Sequence, residues 1–226
     1  MARPWSTLAR VSTAEGPLEL RQRGERDFLI TIAGRPLMTS TAHRSEDDLA
    51  LAACRLIASI TPPRPAPHIL IGGLGMGFTL RAALDALPAA ARVHIVELNP
   101  TVAEWCRGPL AILTADALAD PRVTLTIGNV STALSTTAHS APGTLDAIIL
   151  DLYEGPHHSR EDDQLYGHRA LANARTALAP GGVLAVWSEE PDATYEQRLK
   201  RAQLAFTTTR TASPGGRRHT IYLARR

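Results

Sequence analysis

The residues best placed to do chemistry begin with a glycine turn, Ile69-Leu-Ile-Gly72-Gly73-Leu-Gly75-Met-Gly77. It follows a short apolar run and precedes a helical pattern. Glycines at such a turn let the backbone bend sharply and approach a ligand that a Cβ would hold away. About 20 residues beyond the turn the next apolar run ends in Glu97, whose carboxylate can accept both hydroxyls of a ribose. Turn and acid together point to a nucleoside. A phosphate-binding P-loop is excluded, because no Gly-Lys-Ser/Thr follows the glycines. These residues leave open whether the nucleoside belongs to a dinucleotide or to S-adenosylmethionine.

The elements that must position them are legible as periodicity. Leu18-Glu-Leu-Arg-Gln and Phe28-Leu-Ile-Thr-Ile read as short strands, and Gly34-Arg35 before Pro36-Leu-Met-Thr-Ser reads as a hairpin turn. Ser45 is the expected N-cap of a helix with acids in its first turn and an apolar stripe of Leu49, Ala52, Ala53, Leu56, Ile57 and Ile60. Thr61-Pro-Pro-Arg-Pro-Ala-Pro stops that helix and marks the expected boundary at 62/63. Beyond it strands and helices alternate. The expected strands start at His68, Val93, Val123, Leu145 and Val183. Helices are expected over about 78–87, after Asn99-Pro100, after Asn129, over about 163–178 and over about 193–205. Two last strands, 206–211 and 220–224, flank Pro214-Gly-Gly. Such alternation implies a parallel sheet with helices on both faces. The expected fold is α/β and Rossmann-like: a seven-stranded, mostly parallel sheet over 63–226, with a small β-hairpin and helix over 1–62 covering the cleft.

At this point the chain resembles a known family. Ile-Gly-Gly-Leu-Gly-Met-Gly, Val-Glu97-Leu98-Asn99, Gly128-Asn129-Val, Leu-Asp146-Ala-Ile-Ile-Leu-Asp151 and Leu178-Ala-Pro-Gly-Gly-Val-Leu-Ala-Val look like the successive motifs of the spermidine synthase-like proteins, class I S-adenosylmethionine-type transferases. The resemblance spans about residues 18–205. It implies a nucleoside site made of Gly72, Gly73, Gly75 and Gly77, with Glu97 on the ribose, Leu98 beside it and Asn129 near the adenine. It places Asp151 at the mouth of the cleft, at the carboxyl end of a strand, and it implies a homodimer.

Departures from the family pattern shape the functional expectation. Aminopropyltransferases of this family carry an aspartate in the glycine turn, and the matching position here is Gly75. The acid after the third strand is replaced by Asn129, and the Asp-rich stretch after the fourth reads Asp151-Leu-Tyr153-Glu154-Gly-Pro. A decarboxylated donor and a polyamine acceptor both present cationic amines that need carboxylates around them. Loss of the turn acid therefore favours intact S-adenosylmethionine as co-substrate and methyl transfer to a small-molecule acceptor. The alternatives are aminopropyl transfer from decarboxylated S-adenosylmethionine, transfer or cyclisation of the aminocarboxypropyl arm, and a non-catalytic nucleoside-binding partner subunit. Displacement at a sulfonium requires an aligned acceptor that has lost its proton. Asp151, Tyr153 and Glu154 are the acid/base and orienting candidates. His157-His158 reads as part of a substrate lid and not as a metal site, and His43 is a candidate for the acceptor pocket.

Composition narrows the remainder. The 226 residues carry 24 Lys+Arg against 22 Asp+Glu, a formal net charge of +2, which gives no polyanion-binding surface. Aromatic residues make up 4%, too few for a base-stacking platform, so no nucleic-acid partner is expected. Cys54 and Cys106 lie far apart without ligand spacing, so neither a disulfide framework nor a metal is expected. Without an N-terminal apolar stretch or a membrane-length apolar run, the reading is a cytoplasmic protein that does not enter the membrane.

Overall fold

The computed structural model describes residues 3–157, 159–211 and 218–226. The chain opens with four antiparallel strands, β1 (Ser6–Thr13), β2 (Gly16–Arg23), β3 (Asp27–Ile32) and β4 (Arg35–Thr39), paired in chain order. The sequence showed a single hairpin here. β1 escaped it because Ser6-Thr-Leu-Ala-Arg-Val-Ser-Thr is mostly exposed and carries no apolar alternation to read. β2 and β3 do alternate, and they bury Leu18, Leu20, Phe28 and Ile30 on one face.

The helix α1 (Arg44–Ala58) follows. It contains neither Gly nor Pro, and Leu49, Ala50, Ala53, Cys54 and Ile57 are buried along one stripe. Its start differs from the expectation. His43 occupies the N-cap position without a side-chain cap bond, and Ser45 instead points its hydroxyl at the Glu46 carboxylate. The buried face of α1 shares one continuous core with α2 (Phe78–Ala86) and the main sheet. Burying each Leu or Ile side chain contributes about 1.5–3 kcal/mol, so the stripe holds α1 firmly to the sheet.

The main sheet comprises β5 (His68–Gly72), β6 (Arg92–Glu97), β7 (Val123–Ile127), β8 (Leu145–Leu150), β9 (Leu178–Ser188), β10 (Ala205–Thr211) and β11 (His219–Arg225), in the order β10-β11-β9-β8-β5-β6-β7. The first five strands pair in parallel, and β11 pairs antiparallel with both β9 and β10. The α/β class and the seven strands agree with the sequence. The six residues of β8 are all buried, as expected for a strand covered on both faces. Helices α3 (Pro100–Arg107), α4 (Ala111–Thr114), α5 (Val130–Ser140), α6 (His168–Ala177) and α7 (Ala193–Arg201) complete the layers.

Two helix starts illustrate the local chemistry. Asn99 and Asn129 each cap a helix through their side-chain oxygen, bonding Thr101 N and Ser131 N. By contrast α6 begins five residues later than its periodicity suggested. Asp163 Oδ1 accepts from the amides of Leu165 and Tyr166, which holds the chain in an Asx-type turn instead of a helix. Chain order reverses across β5, which has β6 on one side and β8 on the other. A crevice at the carboxyl ends of these strands is where open α/β sheets take ligands.

Candidate active site

The glycine turn leaves β5 at that crevice. Gly73 has φ +87, and a Cβ there would stand 2.2 Å from the carbonyl oxygen of Asp151. Only glycine lets the turn after β5 lie against the chain leaving β8. Gly77, in the left-handed region at φ 85, caps α2 and aims the helix N-terminus into the crevice. Glu97 is buried at the end of β6, and both its oxygens are held: Leu74 N donates to Oε2 and Asn99 N to Oε1, each at 2.8 Å. A carboxylate oxygen has a further lone pair beyond each of these bonds, so the group can still accept ribose hydroxyls. Leu98 and Ile127 stand exposed at the ends of β6 and β7, and Ile127 is the register partner of Glu97. Two exposed apolar side chains beside a ribose acceptor suit the face of a nucleobase. Asn129 lies next to them, its side-chain oxygen committed to Ser131 N and Oγ. The residues present therefore fit a nucleoside.

Asp151 follows β8 and faces a cavity of about 250 Å³ next to the glycine turn. Thr79, from the first turn of α2, donates its hydroxyl to Asp151 Oδ2 at 2.5 Å. Burial pushes the Asp151 carboxyl up to about 7, and the charge of Glu46 adds to the rise, while the Thr79 bond opposes it. An acid poised near neutrality can accept a proton from a bound ammonium and release it again. Glu46 comes from α1 and lines the same cavity, together with Met38 of β4 and Phe78 of α2. Trp187 and Glu189 at the end of β9 and His219 of β11 line it as well.

The candidate residues separate under this geometry. Gly75, Asp151 and Tyr153 line the cavity, and Tyr153 is 56% exposed at its mouth. Glu154 does not line it. Its side chain is exposed, and its carbonyl is bonded by the buried Tyr166 hydroxyl. His43 also misses the cavity: it pairs with Asp47 at 2.8 Å and stacks on Phe78 at 4.0 Å. His157 lies 3.9 Å from Glu190, and His158 is outside the described residues. Among the described residues no group of three or more His, Cys, Asp or Glu side chains could hold a metal.

Sequence reasoning missed Glu46, Trp187, Glu189 and His219. Glu46 and His219 reach the site only through tertiary packing. Glu189 had a signal, since it follows a parallel strand at its carboxyl end as Asp151 does. Arg198 was also missed. This residue of α7 is 1% exposed and donates to the Ser159 carbonyl and hydroxyl, at 2.8 and 2.6 Å. Tyr166 thus ties the later part of the loop that follows Asp151 back to its start, and Arg198 holds its middle.

Comparison with known proteins agrees with this architecture. No family model matches the chain. A polyamine aminopropyltransferase of Mycobacterium tuberculosis is 34% identical over 134 residues, which is 57% of this chain and 24% of that protein. One from Prochlorococcus marinus is 27% identical over 137 residues, 61% of this chain and 46% of that protein. The chain therefore spans less than half the length of these relatives. Among solved structures, the spermidine synthase of Thermotoga maritima superposes with a TM-score of 0.75 at 16% identity, covering 97% of this chain and 72% of that one. A probable spermidine synthase from Corynebacterium glutamicum gives 0.66 at 18% identity, covering 97% and 79%. The chain thus shares the fold of the spermidine synthases along nearly its whole length and is similar in sequence to polyamine aminopropyltransferases over more than half of it.

Proposed function

We propose that the protein transfers an aminopropyl group from decarboxylated S-adenosylmethionine to a small amine. The observation that carries this reading is the pair of carboxylates, Asp151 and Glu46, on one cavity beside the nucleoside turn. The expectation of methyl transfer rested on the missing turn acid. Neither Gly75 nor the neighbouring Met76, which also lines the cavity, supplies one. However, Glu46 brings a second carboxylate to the same space from α1, a contribution the linear sequence hides. A cationic aminopropyl arm and a cationic acceptor are attracted there, whereas the carboxylate of the intact donor is repelled. The matching relatives named polyamine aminopropyltransferase, and a structural neighbour solved with a transition-state analogue, AdoDATO, support the same reading.

The chemistry follows from the cavity. At about 250 Å³ it is smaller than the ~300–1,000 Å³ typical of sites for drug-sized ligands, so it suits a short aliphatic amine. The acceptor arrives as an ammonium and must lose a proton before its lone pair can attack. Asp151, with its carboxyl near 7, takes that proton. The amine nitrogen then bonds to the propyl carbon attached to the sulfonium sulfur, that carbon–sulfur bond breaks, and its electron pair stays on sulfur as the neutral thioether methylthioadenosine. Glu189, Trp187 and Met38 provide one acid and an apolar wall along which the acceptor chain can lie. Incubation with the decarboxylated or the intact donor and a set of short amines tests the reading by product mass. An aminopropylated amine is the expected product; a methylated one, or one carrying the aminocarboxypropyl arm, would refute it.

A further inference from the structure

We propose that Thr79 is a positioning residue of this site: its hydroxyl fixes one oxygen of Asp151 so that the carboxylate meets the acceptor in a set orientation and in its ionised form. The inference rests on the proposed transfer reaction and adds a residue to it. Thr79 is 2% exposed, and its side chain sits in the first turn of α2, held there by the left-handed cap at Gly77. Packing alone does not call for a hydroxyl there, because valine would fill the same space without a polar atom to satisfy. The hydroxyl has one proton to give. Two acceptors lie near it, Asp151 Oδ2 at 2.5 Å and the Glu46 carbonyl at 3.4 Å. The short contact to a carboxylate takes the proton, since a charged acceptor bonds more strongly than a neutral one.

The arrangement links three elements at one atom. Thr79 belongs to α2, Glu46 to α1 and Asp151 to the end of β8, so the hydroxyl stands where the N-terminal part of the chain meets the nucleoside turn. Burial and the like charge of Glu46 on α1 favour the neutral form of Asp151. The Tyr166 phenol ahead of α6 is kept un-ionised chiefly by its own burial and adds no charge. Tyr153, Glu189 and His219 line the same cavity. Thr79 is therefore the neighbour that holds the carboxylate ionised against burial and like charge, which is the form that takes a proton from an ammonium.

The test is a carbon-13 NMR titration of the aspartate carboxyls in the wild type, Thr79→Val and Thr79→Ser, with Asp151→Asn identifying the signal. Thr79→Val should raise the Asp151 midpoint by about one pH unit or more, the shift expected when a carboxylate loses a charge-assisted bond. Thr79→Ser, which restores the hydroxyl, should return it. The acid limb of kcat/KM for the acceptor should move by the same amount, with rates converging at high pH. If Thr79→Val does not fold, Thr79→Ala gives the same comparison with Thr79→Ser. An unmoved midpoint, or one that serine fails to restore, overturns the inference. A wild-type protein that transfers nothing would instead sink the proposed function, while the titration still reads the Thr79–Asp151 bond.

Discussion

Replacing Asp151 by Asn should make the protein more stable at alkaline pH while abolishing transfer. Asparagine keeps the shape and still accepts the Thr79 hydroxyl bond, so the variant removes the charge and little else. In the folded chain the carboxyl is raised from its ordinary 3.8 to about 7, chiefly by burial and then by Glu46. A raised acid binds more protons folded than unfolded between those values. Stability therefore falls as pH rises from about 4 to about 7, and the loss is complete above the folded value. At 1.36 kcal/mol per pH unit, the displacement corresponds to about 4 kcal/mol as an upper limit. Asparagine does not titrate, so the difference between variant and wild type isolates this one group. Urea unfolding at pH 4 and pH 8.5 would measure it. The expected result is an advantage of Asp151→Asn over wild type that is several kcal/mol larger at pH 8.5 than at pH 4. A difference unchanged with pH would refute the claim that Asp151 is held near neutrality, and with it its role as proton acceptor.

Other replacements probe separate parts of the account. Gly73→Ala should cost at least a few kcal/mol in urea unfolding and remove nucleoside binding, because its Cβ would meet the Asp151 carbonyl at 2.2 Å in a left-handed backbone. Glu97→Gln should weaken methylthioadenosine by about tenfold to a hundredfold in calorimetry, equivalent to about 1.4–2.7 kcal/mol and in the range for bonds to a charged acceptor. Unchanged affinity would mean the ribose lies elsewhere. Arg198→Met should leave global stability within about 1 kcal/mol, since a buried cation is itself costly, yet speed amide exchange near Ser159, which loses its two bonds.

Much of this was legible because it is local. The glycine turn, the run of buried strands and the Asn99 and Asn129 caps are each written in a few consecutive residues, and each forms where its pattern lies. What stayed hidden depends on tertiary contact. Glu46 read as a first-turn acid suited to the helix dipole, and only the packing of α1 on the main sheet turns it towards Asp151. Arg198 carried no signal in the sequence, and only the fold buries it against the loop after β8. Glu154, taken from the acidic stretch that follows β8, is exposed and does not line the cavity, while its carbonyl accepts the Tyr166 hydroxyl. Spacing along a loop carries no side-chain direction, and that is why one of the three catalytic candidates falls outside the cavity.

The central claim is that Asp151 and Glu46 make this site prefer a cationic donor arm. Calorimetry comparing decarboxylated with intact S-adenosylmethionine tests it most directly. Tighter binding of the decarboxylated donor, by about tenfold or more given one additional charge-assisted bond, is the predicted result. Equal or tighter binding of the intact donor would contradict it.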